Sequence, residues 1–241
     1  MTVSDAPELT IVLPVFNEGE SIARVLGGLA REVRTSHEVL VVYDFAEDTT
    51  VPPVRALAMP TVRLVRNEIG RGVLNAMRSG IAAARAPLVL ISMADGSDDP
   101  AVFDPMVQRA RDGADVVAAS RYMRGGRQEG GPFMKTLLSR AAGLSLHHLA
   151  VLPVHAATSN FRLYRRSLLE QIPIESQAGF ELALELTVKA YLRGARLAEI
   201  PTVWRDRTAG TSKFRLRAWL PGYLRWYLRA FAGRFTRRAA A

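Results

Sequence analysis

The sequence predicts an α/β protein built on a mostly parallel, doubly wound sheet. Across its first 120 residues, short apolar runs bounded by polar turns alternate with longer segments of helical periodicity, and this alternation is typical of strand–helix–strand units. Asp44 and Asp95 each lie where an apolar run gives way to a polar loop. Because ligands bind beyond the carboxyl ends of the strands in such a sheet, these two carboxylates indicate a metal or nucleotide site.

The first half of the chain contains five predicted strands with helices between them. Aliphatic and β-branched runs predict strands at residues 9–15, 39–43, 61–66, 87–93 and 116–120. Turn and capping residues at 17–20 begin a helix that runs to about Val33, and a second helix covers 72–86. Between them, residues 44–50 form an acidic loop that leads into a proline-interrupted segment. A third helix begins at residues 98–100, where carboxylates and a proline suit the first turn.

The second half is less regular. Four glycines at 125, 126, 130 and 131 predict a mobile loop, and a mostly apolar helical stretch covers 132–154. Residues 161–164 form a short predicted strand and 178–193 a helix. The last strand, 196–204, contains Pro201 and is therefore expected at a sheet edge. The sequence contains no internal repeat, and nothing in it marks a second independent domain.

The composition excludes several classes of protein. The 241-residue chain has no cysteine, which rules out disulfide frameworks, thiolate zinc sites and cysteine nucleophiles. Its first ten residues are acidic and polar and lack the basic start and apolar core of a secretory signal. The sequence contains no run of roughly 18 consecutive apolar residues, which is the length that a membrane-spanning helix needs. We therefore expect a cytoplasmic protein whose membrane contact, if any, is superficial.

The positive charge lies almost entirely at the C-terminal end. Residues 205–241 contain ten basic residues and one acid, whereas the rest of the chain has 22 of each. Such asymmetry indicates an anionic partner, either nucleic acid or an acidic membrane surface. Nucleic acid is disfavoured because no recognition motif accompanies the charge. Aromatic residues three or four positions apart suggest one helical stripe, which suits either a bilayer interface or a helix packed on the domain with a solvated basic face; they are Phe214, Trp219, Tyr223, Trp226, Tyr227, Phe231 and Phe235.

Nine sequence stretches, in a fixed order between residues 9 and 213, carry a resemblance to a known family. They read IVLPVFNEGESI, VLVVYDF, NEIGRG, LISMADGSDDP, AASRY, LLSR, ATSNFRLYRR, GFELALEL and EIPTVWRDRTAGTSK. Together they resemble family 2 glycosyltransferases of the glycosyltransferase-A fold, and within these the polyprenol-phosphate sugar synthases. A dehydrogenase and a P-loop nucleotidase are disfavoured, because neither G-x-G-x-x-G after the first strand nor G-x-x-x-x-G-K-[ST] is present.

The resemblance implies a nucleotide pocket at the ends of the first two strands. Pro14, Phe16 and Glu18 would line the pocket for the base and ribose, and Asp44 would hold the base or the ribose. On chemistry alone, Glu18 also suits a helix start and Asp44 a turn. GDP-mannose and a UDP-hexose are both compatible with this pocket.

A metal site is implied by the stretch Met93-Ala94-Asp95, which stands at the family's D-x-D motif. Asp95 matches the second acid and Met93 replaces the first, so the nucleotide and a Mg²⁺ or Mn²⁺ ion would rest chiefly on Asp95. Hard divalent cations bind oxygen ligands and often keep waters and substrate phosphates as further ligands. Asp98 and Asp99 either assist the metal or begin the next helix.

Two basic groups are implied in the loop that closes over the pyrophosphate. Arg207 and Lys213 match this loop within W-x-x-R-x-x-G-x-S-K, and Gly210 would be its hinge. For the acceptor phosphate, the family contacts correspond to Arg121, Lys135 and Ser139. Lys135 stands where arginine is frequent, and lysine lacks the bidentate fork of arginine.

A second departure from the family occurs at Ala156. The family usually has an aspartate there, proposed as a base or as a group that orients the acceptor. Three interpretations remain open: the group is dispensable because a phosphate monoester is already a competent nucleophile, His155 or another group compensates, or the chain is catalytically impaired. His155 could titrate near neutral pH, although a lone histidine beside a strand is more often structural.

The implied function is inverting hexose transfer from a nucleoside-diphosphate sugar to polyprenyl phosphate, by a protein peripheral on the inner face of the cell membrane. Residues 1–213 would form the catalytic domain and 214–241 a membrane-interface tail. Two alternatives are a soluble saccharide or metabolite acceptor on the same fold, and an impaired protein that only binds nucleotide sugar or membrane.

Overall fold

Seven strands form the central sheet of the computed structural model, which describes residues 6–131, 133–177, 179–206 and 216–238. Their order across the sheet is β3-β2-β1-β4-β7-β5-β8. The strands are β1 (Leu9–Pro14), β2 (His37–Tyr43), β3 (Val62–Arg66), β4 (Leu88–Ile91), β5 (Val116–Ser120), β7 (Arg162–Arg165) and β8 (Leu197–Pro201). All neighbouring pairs are parallel except those of β7, which runs antiparallel to both β4 and β5. The prediction of a mostly parallel α/β sheet is confirmed.

The helices cover both faces of this sheet and a third, smaller core. They are α1 (Ser21–Glu32), α2 (Val51–Leu57), α3 (Val73–Ala83), α4 (Phe103–Arg111), α5 (Phe133–His148), α6 (Arg166–Gln171), α7 (Leu182–Leu192) and α8 (Leu216–Arg238). Alternate residues of β1 point to opposite faces, so Ile11 packs with α1 and α4 while Val12 packs with α3. The third core lies between α5, α7 and α8.

Several boundaries differ from the sequence predictions. The proline-interrupted segment is helical, because Pro52 and Pro53 occupy the first turn of α2, where a missing N–H costs nothing. The glycine-rich segment predicted as a loop contains a short strand, β6 (Arg127–Glu129). The stretch 132–154 is helical only to His148. The short helix α6 was not predicted.

The predicted strand 196–204 belongs to two sheets. It divides into β8, which lies at the edge of the main sheet as expected, and β9 (Val203–Arg205), which pairs with β6. The chain changes sheet at Thr202, whose N–H donates to Ser120 and whose carbonyl accepts from Arg127. Tertiary hydrogen bonds on the two sides of one residue, rather than a break in the apolar pattern, end the first strand.

Candidate active site

Three parallel strands open together at the edge where the polar residues were expected. In the order β2-β1-β4, the central strand ends at Pro14, Asp44 follows directly after β2, and Asp95 lies four residues after β4. Carboxyl ends of parallel strands meet at one edge. The structure therefore places Pro14, Asp44 and Asp95 around one opening, as the sequence predicted.

Asp44 holds a loop in place with both carboxylate oxygens. It accepts hydrogen bonds from the Asn67 side chain (Nδ2 to Oδ1, 2.6 Å) and from the Gly72 backbone N–H (2.8 Å). Asn67 in turn donates to the Gly70 carbonyl. The structure thus gives Asp44 a bracing role over residues 67–72, instead of the local turn that was the simplest alternative, and contact with base or ribose stays a prediction.

An aromatic and cationic layer lies at the same opening. Phe16 is exposed and meets Phe45 edge-to-face at 5.6 Å between ring centroids, and the Arg71 guanidinium lies 5.1 Å from the Phe45 centroid. The backbone N–H of Glu18 donates to Thr50, which ties this loop to the start of α2. Phe45 and Arg71 were not singled out in the sequence, although both lie within the quoted motifs. A flat, partly exposed surface of this kind suits a planar base.

The loop after β4 is braced by Asp98. Its carboxylate accepts from the Ser92 hydroxyl (2.9 Å) and from the Met93 backbone N–H (2.9 Å). Burial raises the pKa of Asp98 to about 7, and the nearby charge of Asp95 adds to the rise. Asp99 accepts from the Ala101 N–H and caps the short 3-10 turn that precedes α4. The helix-start interpretation is therefore confirmed for Asp99, while Asp98 faces the strand end.

Asp95 is the acid in this loop that matches the metal-binding position predicted from the sequence. One of its oxygens accepts from the Ser97 N–H at 3.1 Å. In the part of the chain that the structure describes, no three His, Asp or Glu side chains are close enough to hold a metal together. Asp95 would thus supply one ligand, with diphosphate oxygens and water as the others. This arrangement fits a divalent cation that arrives with its nucleotide.

On the other side of the opening, Arg121 and Ser139 come together. The Arg121 guanidinium lies 5.0 Å from the ring centroids of both Tyr122 and Trp204, and its Nη2 contacts the Ser139 hydroxyl at 3.4 Å. Its Nε is buried and has no hydrogen-bond partner among the described residues. Ser139 also contacts Thr158 at 3.1 Å. Lys135 lies one turn earlier in α5, but its side chain lies outside the described part of the structure.

Ala156 lies in a closed environment beside a buried charge. Its carbonyl accepts from Nη2 of Arg162 at 2.5 Å, and both residues are almost fully buried. The Arg162 Nε has no partner in the described ranges, and burial lowers the pKa of this guanidinium. The position of the family's aspartate is therefore shielded from solvent.

His155 is not an isolated histidine. Its Nδ1 pairs with the Glu199 carboxylate, and its backbone N–H donates to the other oxygen at 2.8 Å. Its ring stacks on His147 at 3.8 Å, and His148 meets His147 edge-on at 4.8 Å. The contact between these three histidines and Glu199 could not be predicted from the sequence, because the residues come from three separate elements.

The family assignment rests on a comparison with protein-family models. The model described as "Glycosyl transferase family 2" matches residues 10–173, which is more than half of the chain. The chain belongs to glycosyltransferase family 2. The strand ends, the Asp95 loop and the Arg121 site described above all lie within or next to the matched residues.

Curated relatives and solved structures agree with this family and fold. Polyprenol monophosphomannose synthase of Mycolicibacterium smegmatis is 29% identical over 220 residues, which are 88% of this chain and 83% of the relative. Dolichol-phosphate mannosyltransferase of Pyrococcus furiosus is 23% identical, and the match spans 86% of this chain but only 59% of that protein. Glucosyl-3-phosphoglycerate synthase of Mycobacterium tuberculosis, solved with Mn²⁺, UDP-glucose and phosphoglyceric acid, has a TM-score of 0.70 at 20% identity and covers 94% of this chain and 80% of its own. The fold is therefore of the glycosyltransferase-A type.

The basic loop predicted for this glycosyltransferase begins beside the Asp95 loop. Arg207, Gly210 and Lys213 lie outside the described residues. Arg205, two residues before Arg207, donates its backbone N–H to the Ser97 carbonyl at 3.1 Å, and Ser97 is two residues from Asp95. The segment that carries the predicted pyrophosphate contacts therefore starts at the predicted metal site.

Four aromatic residues of the predicted stripe face the domain rather than solvent; the side chains of Phe214, Trp219 and Phe235 lie outside the described part of the structure. Trp226 is 1% exposed, and Tyr223, Tyr227 and Phe231 pack around it in the third core. Tyr227 shares a hydrogen bond with Ser145 of α5 at 2.8 Å. The interpretation that places these four aromatic side chains in a bilayer is therefore wrong, because the core of the domain already buries them. No helix within the described ranges has both the length and the apolar character that crossing a bilayer requires.

Proposed function

We propose that this glycosyltransferase transfers a hexose from a nucleoside-diphosphate sugar, GDP-mannose or a UDP-hexose, to polyprenyl phosphate at the cytoplasmic face of the membrane. The observation that carries the proposal is the Arg121 site. A half-buried guanidinium that lies 5.0 Å from two ring centroids and has no ion pair with a carboxylate among the described residues is prepared to bind an anion. The names of the polyprenol and dolichol relatives support a lipid phosphate as that anion.

The reaction is a single in-line displacement. An oxygen of the acceptor phosphate attacks the anomeric carbon, the bond from that carbon to the diphosphate breaks, and its electron pair leaves with the nucleoside diphosphate. One such displacement inverts the anomeric centre. Arg121, Ser139 and Lys135 would hold the acceptor phosphate. Fixed donors of this kind position the nucleophile, and they do not have to reorganise when the transition state forms.

The leaving diphosphate needs positive charge as its bond to the sugar breaks. A Mg²⁺ or Mn²⁺ ion held by Asp95 would supply part of that charge. Arg207 and Lys213 would supply the rest from a loop that starts at the Asp95 loop, as the Arg205–Ser97 hydrogen bond indicates. Phe16, Phe45 and Arg71 would hold the base, with Pro14, Glu18 and the Asp44-braced loop around the ribose. Met93 and Ala94 would contribute backbone only.

A phosphate acceptor also explains how transfer can proceed with Ala156. A phosphate oxygen is already ionised at neutral pH, so its attack needs no base, whereas an alcohol must lose a proton. The buried alanine supports a phosphate acceptor over a saccharide hydroxyl. A small phosphorylated metabolite is the second candidate, because Arg121 would recognise its phosphate equally well.

The test is transfer of labelled sugar from a panel of nucleotide sugars, with Mg²⁺ or Mn²⁺, to polyprenyl phosphate in detergent or to soluble phosphorylated acceptors. We expect product with the lipid. Arg121→Gln should raise the acceptor KM at least about tenfold and leave the donor KM unchanged. Arg124→Gln, an exposed arginine in the same loop, is the matched control and should behave as the parent protein.

The same assay on Ala156→Asp separates the remaining interpretations. Activity in both proteins means that the carboxylate is dispensable, and activity only in the aspartate variant identifies Ala156 as the defect. Product only with a soluble acceptor contradicts the lipid assignment. If neither protein forms product and calorimetry detects no nucleotide binding, the transferase proposal must be abandoned.

A further inference from the structure

The outward side of α8 carries a row of exposed leucines. Leu220, Leu224 and Leu228 are 44%, 47% and 63% exposed. Residues four positions apart lie on one side of a helix, so the three form one stripe, here called the leucine face. Trp226 is two positions from Leu224 and Leu228, and residues two apart point about 200° away from each other. The buried tryptophan therefore holds the helix with its leucine face turned outward.

The leucine face is fixed relative to the catalytic domain. Trp226 and Ala230 are buried in the third core, and the hydrogen bond from Tyr227 to Ser145 joins α8 to α5. Since Tyr227 is three residues after Leu224, the side of α8 that meets α5 adjoins the leucine face. The neighbouring helix and the turn after it expose further apolar side chains, at Leu137, Leu138, Leu149 and Val151.

Positive charge borders the same surface. α8 contains six arginines and no acidic residue. Arg225 and Arg229 lie on the side away from α5, where Arg225 pairs with Glu175 and both guanidinium groups lie within 5.5 Å of the Trp226 ring centroid. Exposed leucines beside an all-arginine charge set are typical of helices that lie in the interface of an anionic bilayer.

We propose that the leucine face of α8 is the surface by which this protein lies on an anionic lipid bilayer, a proposal that rests on the lipid acceptor argued above. The leucines enter the boundary between headgroups and acyl chains, and the arginines lie at the level of the lipid phosphates. Tyr223, Trp226, Tyr227 and Phe231, which the sequence pattern suggested for this role, pack on the domain instead. The membrane thus meets a helix already docked on the catalytic core.

A second copy of the chain fits this surface less well. A two-fold contact brings the same patch of both subunits together. Although Glu175 pairs with Arg225 in each copy, α8 itself has no acidic residue, so two such basic helices would face each other and like charges repel. A bilayer surface with anionic lipids instead complements both the leucines and the arginines.

The experiment is flotation of the full chain with vesicles that contain no acceptor lipid. Vesicles of phosphatidylcholine with a third of phosphatidylglycerol are compared with vesicles of phosphatidylcholine alone, using the parent protein and the variant Leu220→Gln/Leu224→Gln/Leu228→Gln. We expect binding to the anionic vesicles, weakened by salt, and at least a tenfold weaker binding by the triple variant. The substituted side chains are exposed, so circular dichroism and Tm should match those of the parent.

The matched control is Leu57→Gln/Ile69→Gln, which removes two similarly exposed apolar side chains (40% and 51%) on the nucleotide side of the molecule. This control should bind vesicles as the parent does. Equal vesicle binding by the parent and the triple variant would overturn the proposal. So would light scattering that shows a parent dimer that the triple variant loses, because a second copy would then cover the leucine face.

The outcome is separable from that of the proposed function. Leucine-dependent vesicle binding without transfer to polyprenyl phosphate in detergent would refute the lipid acceptor and keep the bilayer contact. Transfer in detergent without leucine-dependent vesicle binding would support the lipid acceptor and refute the bilayer contact. With both correct, the triple variant should keep its activity toward a short, water-soluble prenyl phosphate and lose it toward long-chain acceptor in vesicles.

Discussion

In the half of the sheet formed by β1 to β4, carboxylates are held mainly by backbone N–H groups, whereas the half around β5, β7 and β8 holds buried cations and a buried ion pair. Asp44, Asp98 and Asp99 each accept from a backbone N–H of a nearby loop. On the other side, Arg162 and the pair Lys189–Glu185 are almost fully buried.

The difference separates two ways of building a site. Backbone donors hold the loops of the nucleotide side in place, from nearby residues for Asp98 and Asp99 and from a residue 28 positions away for Asp44. Buried charges are costly unless each has a partner, and on the acceptor side the partners come from the same helix for Lys189 and from other elements for Arg162. A single substitution should therefore do most damage to stability on the acceptor side and most damage to chemistry on the nucleotide side.

The largest expected effect is on the buried pair of α7. Lys189 is 4% exposed, and its Nζ lies 2.6 Å from the fully buried Glu185 carboxylate. Lys189→Met leaves that carboxylate uncompensated, which should lower the free energy of unfolding by about 3–5 kcal/mol. Urea unfolding measures the loss. The double variant Lys189→Met/Glu185→Gln should recover part of it, and a loss no greater in the single variant than at an exposed pair would contradict the comparison.

The next largest effect is on catalysis at the nucleotide side. Asp95→Asn removes the charge expected to hold the divalent cation, so kcat/KM for transfer should fall by about two orders of magnitude or more, with unchanged Tm. Asp99→Asn is the matched control, because Asp99 caps the 3-10 turn. It should retain activity and cost at most about 1–2 kcal/mol of stability. Equal losses of activity in both variants would mean that the loop as a whole matters rather than Asp95.

A smaller effect should depend on pH at Asp98. The pKa of this carboxyl is raised from 3.8 to about 7, so the folded protein binds its proton more tightly than the unfolded chain does. Stability from this group is complete below about pH 4 and decreases as the pH rises to about 7. Asp98→Asn can still accept from Ser92 and Met93 without the buried charge.

Unfolding of the parent and Asp98→Asn should therefore be compared at pH 4.5 and pH 8. We expect the variant to be more stable by about 1–3 kcal/mol at pH 8 and nearly equal at pH 4.5, since other titrating groups are common to both proteins. A difference independent of pH would show that the pKa of Asp98 is the same in the folded protein as in the unfolded chain.

The smallest effect is expected at an exposed pair in the nucleotide half. Arg111 binds Glu8 through two hydrogen bonds (2.9 and 2.6 Å) between partly exposed side chains. The hydrogen bond from Arg111 lowers the pKa of Glu8, so its small stabilisation is present above the ordinary pKa and is lost as the pH falls. Arg111→Ala should cost no more than about 1 kcal/mol, and less in high salt. A larger, salt-independent loss would show that packing of the arginine stem, rather than charge, stabilises this surface.

The sequence by itself determined the parallel half of the sheet and the site at its edge. The apolar runs of β1, β2 and β4 are local patterns, and parallel strands necessarily open at one edge. Asp44 and Asp95 could therefore be placed together from their positions after those runs. The match of nine motifs likewise predicted the family. It also assigned Arg121 and Ser139 to one acceptor site, and the two side chains are in contact in the structure.

Only the tertiary structure decided which surfaces and charges meet on the acceptor side. The reversal of β7, the division of residues 196–204 between two sheets, and the His155–Glu199 pair all depend on contacts between distant segments, which no local pattern encodes. The aromatic side of α8 shows the reason most clearly. Aromatic residues at helical spacing suit a bilayer and a protein core equally well, because both are apolar, and only the packing of Trp226 against α5 and α7 chose between them.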